Sequence, residues 1–473
     1  MKTGGFNKKS LTLMILIALC LWCSRFETCQ AREGKYWTQS EAGPATSALV
    51  KKENGYGGND GRRLSKFMGD MWNGEAQATQ QYGKPSSFNV LDYGAKGDGH
   101  TDDTKAWTDA GKVARSKILV PAGSVFFVGP VSFLGSGCGA NIELQLDGTI
   151  LAPVSSKIWG SGLLQWIEFK ELNGFTIQGK GTIDGRGSVW WNDLPSYGSE
   201  WESEVGNQLD GKMPSTKPTA LRFYGSTGVT VTGITIQNSP QTHLKFDSCT
   251  GVQVSDFTTS SPGNSPNTDG IHLQNSQNVL IYSSDLACGD DCISIQTGCS
   301  NVFIHNVNCG PGHGISIGGL GKDNTKACVS NVTVRDVSMH NTLTGVRIKT
   351  WQGGSGSVQG ITFSNVQVSG VGTPIMIDQF YCDGSKCKND SSAVALTGIN
   401  YLGIKGTYTE KPIHFACSDS MPCVGVSLST IELTASEEDS PPLCWNAYGT
   451  VKTTTLPPVD CLRTGKSRYP TEC

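Results

Sequence analysis

A short β-rich motif recurs along the chain, and this repetition restricts the fold more than any other feature. Segments rich in Val, Ile and Thr, with alternating apolar and polar residues, begin with Gly or Asn at residues 228, 251, 278, 301, 331, 360, 398 and 425. Alternation with period two indicates strands, and a recurring unit of this length indicates coils stacked on one another. The chain is therefore predicted to be all-β, a right-handed parallel β-helix (solenoid) with one coil per repeat.

Each repeat contains a second strand, and the polar groups before these strands occur at matched positions. The strands that begin at Asp269, Asp291 and His313 read DGIHLQN, DCISIQT and HGISIGG, and TGVRIKT follows from Thr344. Alternation predicts two interior columns and two exterior columns, of which the second exterior one is Gln274, Gln296, Gly318, Lys349. The interior columns are Ile271, Ile293, Ile315, Val346, Ile375 and Leu273, Ile295, Ile317, Ile348, Ile377; the first exterior column is His272, Ser294, Ser316, Arg347.

Residues 1–31 have the layout of a secretory signal peptide. Three lysines precede the apolar run LTLMILIALCLW at 11–22, which is short for a membrane span, and a signal anchor is the alternative. Residues 32–85 are polar, Gly-rich and aperiodic, which predicts a flexible extension. The β-helix domain is assigned to 86–465 and a disulfide-tethered tail to 466–473. We expect a secreted protein with no membrane association after signal removal.

A single amphipathic segment near the start of the ordered region predicts a short capping helix. In TDDTKAWTDAGKVARS, Thr101 is the predicted N-cap and apolar residues follow at helical spacing. An exposed end of a solenoid needs covering, which a helix can provide.

Fourteen cysteines follow the signal region, which suits an oxidising destination. Their spacing lacks the paired short knuckles of a zinc site, so structural disulfides are predicted. Sequence leaves their connectivity open. Short-range or neighbouring-coil pairs are Cys382/Cys387, Cys417/Cys423 and Cys292/Cys309, and the group Cys444, Cys461 and Cys473 would tie down the C-terminus.

The overall charge gives no indication of a nucleic-acid partner. The formal net charge is −3 and 17% of residues are charged, so an anion would have to bind through a local basic patch. The sequence also carries two N-glycosylation sequons, at Asn331 and Asn389. We expect a monomer.

Four short polar motifs fall on consecutive coils. They are NTD at 267–269, GDD at 289–291, GHG at 312–314 and RIK at 347–349. Alone, each has an ordinary structural explanation: a turn Asp caps a backbone amide, and an Arg near a Lys is usually a solvated surface. Four such motifs in register indicate a functional cleft.

With these motifs the chain resembles the polygalacturonases, glycoside hydrolase family 28, over residues 86–465. The motifs occur complete and in the family's order, FNVLDYGAKGDGHTDDTKAW resembles its N-terminal entry, and the export signal and cysteines are most like a plant member. The resemblance implies hydrolysis of α-1,4 bonds in pectin with inversion, in the cell wall (apoplast), without cofactor or metal. It also implies that Asp290 is the general acid, that Asp269 and Asp291 activate water, and that His313 tunes the acid.

Residue chemistry adds to this prediction. Three crowded carboxylates cannot all ionise freely, so one should stay protonated near the working pH. Arg347 and Lys349 share a strand face and can hold a uronate carboxylate, which favours an anionic polysaccharide partner. Asn267 is expected either to bind substrate or to fix its turn. Tyr381 matches a substrate-contacting tyrosine of the family, with packing as the alternative.

Several alternatives stay open at this point. A rhamnogalacturonan or xylogalacturonan hydrolase is the nearest, a pectate lyase would require calcium, and a catalytically silent wall-binding solenoid is the alternative from another class. Endo and exo action cannot be distinguished from sequence.

Overall fold

The computed structural model describes residues 30–33, 87–113, 117–135, 138, 140–191, 212–384, 390, 393–466 and 473. Most of the predicted signal peptide and extension, Cys387 and the sequon at Asn389 therefore lie outside the described residues. Within them, no helix is long and apolar enough to cross a membrane.

Strands make up most of the described chain. In chain order, the first are β1 Gln30–Glu33, β2 Ser87–Asn89, β3 Asp98–Asp102, β4 Lys117–Val120, β5 Val125–Phe127, β6 Val131–Leu134, β7 Ile142–Leu146, β8 Thr149–Leu151, β9 Gln165–Lys170, β10 Asn173–Gln178 and β11 Thr182–Asp184. There follow β12 Thr219–Tyr224, β13 Thr227–Thr232, β14 Thr235–Gln237, β15 Leu244–Asp247, β16 Thr250–Ser255, β17 Thr258–Ser260, β18 Ile271–Gln274, β19 Gln277–Ala287, β20 Ile293–Ile295, β21 Ser300–Cys309 and β22 Ile315–Leu320. The last are β23 Lys326–His340, β24 Thr344–Trp351, β25 Ser355–Val371, β26 Thr373–Tyr381, β27 Ala395–Tyr408, β28 Ile413–Ala416, β29 Cys423–Ala435, β30 Leu443–Trp445 and β31 Ala447–Val451.

The helical elements are few and short. They are helix α1 Thr104–Val113, helix α2 Ser156–Trp159 and the 3-10 turns Val90–Tyr93, Gly187–Trp190 and Lys322–Asn324.

The strands stack as two continuous parallel sheets, one strand of each per coil. The front sheet runs β6-β9-β12-β15-β18-β20-β22-β24-β26-β28-β30. The back sheet runs β2-β4-β7-β10-β13-β16-β19-β21-β23-β25-β27-β29-β31, and a narrower row, β3-β5-β8-β11-β14-β17, joins it at β19. Parallel pairing between strands a whole coil apart confirms the predicted parallel β-helix, and crossovers between parallel strands of one sheet are right-handed.

Apolar columns fill the interior of the coils. The register pairs Ile271 with Ile293, Ile293 with Ile315, Ile315 with Val346 and Val346 with Ile375, as the alternation predicted. Toward the N-terminus the second column becomes aromatic, and the rings of Phe133, Phe169, Phe223 and Phe246 stack at centroid distances of 5.1, 5.4 and 5.3 Å. Each fully buried side chain of this kind contributes about 1.5–3 kcal/mol.

The Gly or Asn that opens each back-sheet repeat has a conformational cause. These eight positions, which we call the corner column, all have φ between 54° and 70°, a left-handed conformation that Gly adopts freely and Asn tolerates. Its members are Gly228, Gly251, Asn278, Asn301, Asn331, Gly360, Gly398 and Gly425.

Side chains of the three asparagines in the corner column form a ladder. Asn301 Nδ2 donates to Asn278 Oδ1 (2.9 Å), and Asn331 Nδ2 donates to Asn301 Oδ1 (2.7 Å). The nitrogen that would carry a glycan at the Asn331 sequon is thus engaged in the folded protein.

Helix α1 confirms the predicted short helix near the start of the solenoid, but it begins at a later residue than predicted. It begins at Thr104, and its Trp107 lies edge-on to Phe126 with ring centroids 6.3 Å apart. The prediction of Thr101 as N-cap is wrong, because this residue belongs to β3 and its hydroxyl donates to Asp98 Oδ2 (2.7 Å).

Strand β1 crosses the boundary assigned to the signal peptide. Its residues 30–33 pair antiparallel with β6, with Gln30 opposite Leu134 and Glu33 opposite Val131. The predicted signal end at residue 31 falls inside this strand. The structure does not test where a signal peptide is cleaved, so the boundary stays a prediction.

Disulfides connect adjacent coils and the C-terminus. Cys292–Cys309 and Cys417–Cys423 form as predicted. The C-terminal group does not pair only within itself: Cys444 bonds Cys461, whereas Cys473 bonds Cys328, 145 residues earlier. The buried thiols of Cys249, Cys288 and Cys299 are free, so the even count of cysteines does not mean complete pairing.

Candidate active site

Asp290 and His313 lie at equivalent corners of neighbouring coils and contact each other. His313 Nδ1 is 3.0 Å from Asp290 Oδ1, and the His313 amide donates to the Asp290 carbonyl at 2.7 Å. The flanking glycines permit this close stacking, because a Cβ at Gly289 would overlap the Ser265 carbonyl oxygen and one at Gly314 would overlap the backbone of the next coil. The GDD and GHG motifs thus hold a carboxyl and an imidazole together.

Asp291 is enclosed by positive charge. Its Oδ1 accepts from Arg347 Nη2 (2.6 Å) and from Ser316 Oγ (2.7 Å), and its Oδ2 contacts Lys349 Nζ (3.0 Å). Ser316 Oγ also accepts from Arg347 Nε at 2.9 Å. The two cations of the RIK motif therefore neutralise a carboxylate of this cluster, a contact that the sequence analysis did not predict.

Asp269 lies on the other side of the cluster, against two histidines. His272 Nδ1 is 2.9 Å from Asp269 Oδ2. His243 is fully buried behind it, with Nδ1 2.9 Å from the Asp269 carbonyl oxygen and Nε2 2.7 Å from Ser261 Oγ. Burial lowers the pKa of His243 to about 4 and that of His272 to about 3, so both imidazoles are neutral above these values.

The carboxyl groups have different affinities for protons. Burial, reinforced by the charges of Asp290 and Asp291, raises the pKa of Asp269 well above its ordinary value. Burial also acts to raise the pKa of Asp290, but the hydrogen bond and charge of His313 and the charge of Lys349 outweigh it, and the net shift is downward. These opposite directions favour Asp269 over Asp290 as the carboxyl that holds a shared proton.

The remaining predicted residues lie at the edge of the cluster. Asn267 Nδ2 is 3.4 Å from Asp290 Oδ2, and its φ of 59° shows that it forms the turn. It also lines the cleft described below, and its binding of substrate stays a prediction. Tyr381 packs edge-on to Trp351 (centroids 5.2 Å apart), and Lys349 Nζ lies 5.2 Å from the Tyr381 ring centre.

An open cleft of about 250 Å³ runs over the carboxylates on the front sheet. Arg347, His313 and Tyr381 do not line it; they contact residues that do. Sequence reasoning missed Lys245, although extending the exterior column by one coil from His272 leads to it. The lining residues are Thr219, Gln241, Thr242, Lys245, Asn267, Asp269, His272, Asp290, Asp291, Ser294, Gln296, Gly318, Gly319 and Lys349.

Asp290, Asp291 and His313 also have the spacing of a metal site, with one ligand atom from each within 4.8 Å of the others. Arg347 and Lys349 already supply counter-charge to Asp291. A divalent cation at this point would face both of them at short range, which opposes its binding.

Three carboxyl groups, an imidazole and two lysines line the open cleft of this solenoid, an arrangement suited to a carbohydrate-active hydrolase. The chain belongs to glycosyl hydrolases family 28, whose family model matches residues 110–453.

Curated relatives match most of the chain. A probable polygalacturonase of Arabidopsis thaliana is 39% identical over 381 residues, 78% of this chain and 83% of the relative. A polygalacturonase of Chamaecyparis obtusa is 41% identical over 388 residues, 80% of this chain and 73% of the relative. Among solved structures, the polygalacturonase of Erwinia carotovora is 27% identical, with a TM-score of 0.61 over 80% of this chain and 100% of that one.

Proposed function

We propose that the protein is an exported polygalacturonase that hydrolyses α-1,4 bonds between galacturonate units of pectin in the plant cell wall. The observation that carries the proposal is the front-sheet cluster, in which Asp290 contacts His313 while Asp291 is neutralised by Arg347 and Lys349. Membership of the family and the names of its plant relatives support the choice of substrate.

Asp290 is proposed as the general acid. Its side chain is 20% exposed, against 14% for Asp269 and 2% for Asp291, so it is the carboxyl most able to reach a glycosidic oxygen. It would donate its proton to the leaving oxygen as the glycosidic bond breaks. Asp269 and Asp291 would hold a water molecule on the opposite face of the sugar, and that water's proton would pass to a carboxylate as its oxygen attacks the anomeric carbon.

The proton must then move within the cluster before each turnover. The raised pKa of Asp269 and the lowered pKa of Asp290 favour a proton on Asp269 in the free enzyme. Both side chains line the same cleft, so a bound water can relay the proton to Asp290 when substrate arrives. His313 contributes to this balance, because its hydrogen bond and its charge act to lower the pKa of Asp290.

We propose that Lys349, and not the guanidinium group of Arg347, binds the carboxylate of the substrate. Both cations are buried to the same extent and contact Asp291, but Lys349 lines the cleft, whereas Arg347 does not line it and donates to Ser316 as well. Arg347 therefore acts by holding Asp291 in place. This differs from the sequence-based expectation that Arg347 and Lys349 together hold a uronate carboxylate.

The decisive experiment is digestion of polygalacturonate by the purified protein in the presence of EDTA. We expect release of reducing ends whose first-formed anomer is inverted, without an unsaturated product. Asp290→Asn should lower the rate by about 100- to 10,000-fold, since it removes a general acid. Asp460→Asn, an exposed carboxylate outside the cleft lining, is the matched control and should retain the wild-type rate.

Different outcomes would select the alternatives. Activity that disappears in EDTA and yields unsaturated products would indicate a lyase. Binding to pectin without release of reducing ends would indicate a silent wall-binding solenoid. Sizing the products over time separates endo from exo action, because an endo enzyme yields a ladder of oligomers and an exo enzyme yields a constant short product.

A further inference from the structure

Lys245, a cation without an ionic partner, lies in the cleft on the N-terminal side of the carboxylate cluster. Lys245 lines the cleft together with Asp269 and His272, and on β15 it is directly opposite His272 on β18. In the part of the chain that the structure describes, no hydrogen bond or ion pair holds its ammonium group. The other lysine of the cleft, Lys349, is committed to Asp291.

The surroundings of Lys245 explain why it is left unpaired. Its neighbour one coil earlier, Arg222, forms ion pairs with Glu168 (3.1 Å) and with Asp247 (2.6 Å). Asp247, two residues from Lys245 on the same strand, is therefore already paired with Arg222. Burial lowers the pKa of Lys245, while the charges of Asp247 and Asp269 act in the opposite direction. A partly desolvated ammonium group that faces an open cleft is a binding site for an anion.

Lys245 and Lys349 lie on strands that are equally far from β20, on either side of it. Asp290 and Asp291 immediately precede β20; Lys245 on β15 lies two strands before β20, and Lys349 on β24 lies two strands after it. Neighbouring strands are about 4.8 Å apart, so the backbones of the two lysines lie about 10 Å from β20, on opposite sides of it along the cleft. The Lys349 side chain reaches back to Asp291, 3.0 Å away, and leaves Lys245 as the cation on the other side. A polyuronate lying along the cleft carries one carboxylate per sugar and can reach both lysines at once.

We propose that Lys245 binds the carboxylate of a second galacturonate unit, on the side of the scissile bond opposite Lys349. This inference rests on the proposed function and adds a specificity determinant to it. The enzyme then requires free uronate charge on both sides of the bond that it cleaves. A methyl ester at the Lys245 subsite removes that charge and leaves the ammonium group facing a neutral group, which weakens binding.

Binding of hexagalacturonate to the Asp290→Asn protein, measured by calorimetry, isolates this contact from catalysis. Adding Lys245→Met, which removes the charge but keeps much of the side chain's length, should weaken binding about tenfold, as expected for loss of one charge-assisted hydrogen bond. Adding Lys245→Arg should keep the affinity within about twofold, because the charge remains. Lys452→Met makes the same charge change at an exposed site outside the cleft lining and should have no effect.

Kinetics in the otherwise wild-type enzyme provide the second readout. Lys245→Met should raise KM for polygalacturonate with kcat retained, and should reduce the enzyme's preference for unesterified over partly methyl-esterified pectin. Unchanged affinity in the Lys245→Met protein would overturn the inference. A fall in kcat that Lys245→Arg does not restore would also overturn it, since it would indicate support of the cluster instead of substrate binding.

The two proposals can fail separately. If the wild-type protein releases no reducing ends but Lys245-dependent binding of hexagalacturonate persists, the proposed hydrolysis is wrong and the binding site stands. If hydrolysis occurs and Lys245→Met binds like its parent, only the subsite is wrong. Equal thermal unfolding temperatures for Lys245→Met and Lys452→Met would establish that folding does not cause the difference.

Discussion

At the scale of single residues, the motifs predicted which groups meet but not how they pair. Stacking of the NTD, GDD and GHG motifs follows from the repeat alone, and the structure brings Asp269, Asp290 and His313 together. The salt bridges of Asp291 could not be predicted, because alternation places Arg347 and Lys349 on a face without saying which way the long side chains turn.

The assignment of Asp290 can be tested through His313. Removing the imidazole in His313→Ala removes the hydrogen bond and charge that lower the pKa of Asp290, so this pKa should rise. A general acid must be protonated to act, and activity therefore falls as pH rises through its pKa. We expect the alkaline limb of the kcat/KM profile, which reports the free enzyme, to move to higher pH.

A conservative variant controls for loss of packing at this position. His313→Gln keeps a neutral donor near Asp290 and should shift the alkaline limb less than His313→Ala does. If instead the acidic limb moves upward and the alkaline limb stays, Asp290 acts as the base, and the roles of Asp290 and Asp269 are exchanged.

At the scale of the element, the repeat predicted the strands and the identity of the columns because both depend on local pattern. The Gly-or-Asn start of each back-sheet strand was visible in the sequence, and the left-handed corner column is its physical cause. The start of helix α1 was missed because Thr101 is held by Asp98 in a local turn. Competition between such turns and a helix cap leaves the boundary open in sequence.

The corner column leads to a prediction about Asn301. Asn301→Ala loses two ladder hydrogen bonds and also forces a Cβ-bearing residue without side-chain compensation into a φ of 55°. Asn301→Gly loses the same hydrogen bonds without the strain. Alanine should therefore lower the free energy of unfolding by about 1 kcal/mol more than glycine, measured by urea denaturation. Equal losses for the two variants would mean that the ladder alone, and not the backbone conformation, selects Asn at this corner.

At the scale of the whole molecule, local pattern is not enough. The repeats predicted a solenoid, but the link between Cys473 and Cys328 joins positions 145 residues apart, and nothing in the spacing distinguishes it from pairing within the C-terminal group. The same limit applies to the cleft: Lys245 and Lys349 become a pair only when the number of coils between them is known.

The long disulfide also tests how the solenoid unfolds. A cross-link stabilises a protein by restricting the unfolded chain, and in the chain-entropy account the Cys328–Cys473 link is worth about 5 kcal/mol, against about 2 kcal/mol for Cys417–Cys423 with its separation of 6 residues. The full value is realised only if the enclosed coils unfold as one unit. Because each coil contacts only its neighbours, a stacked chain can instead unravel from its end.

We therefore expect the double variant Cys328→Ser/Cys473→Ser to lose more unfolding free energy than Cys417→Ser/Cys423→Ser, with both transitions followed by urea denaturation of the oxidised proteins. If the Cys328→Ser/Cys473→Ser protein loses more unfolding free energy and the dependence of that free energy on urea concentration does not change, the C-terminal coils unfold cooperatively. If the two double variants lose equal stability, or the longer link contributes less, the terminal coils unfold independently of the rest, and the disulfide to Cys473 only retains the tail.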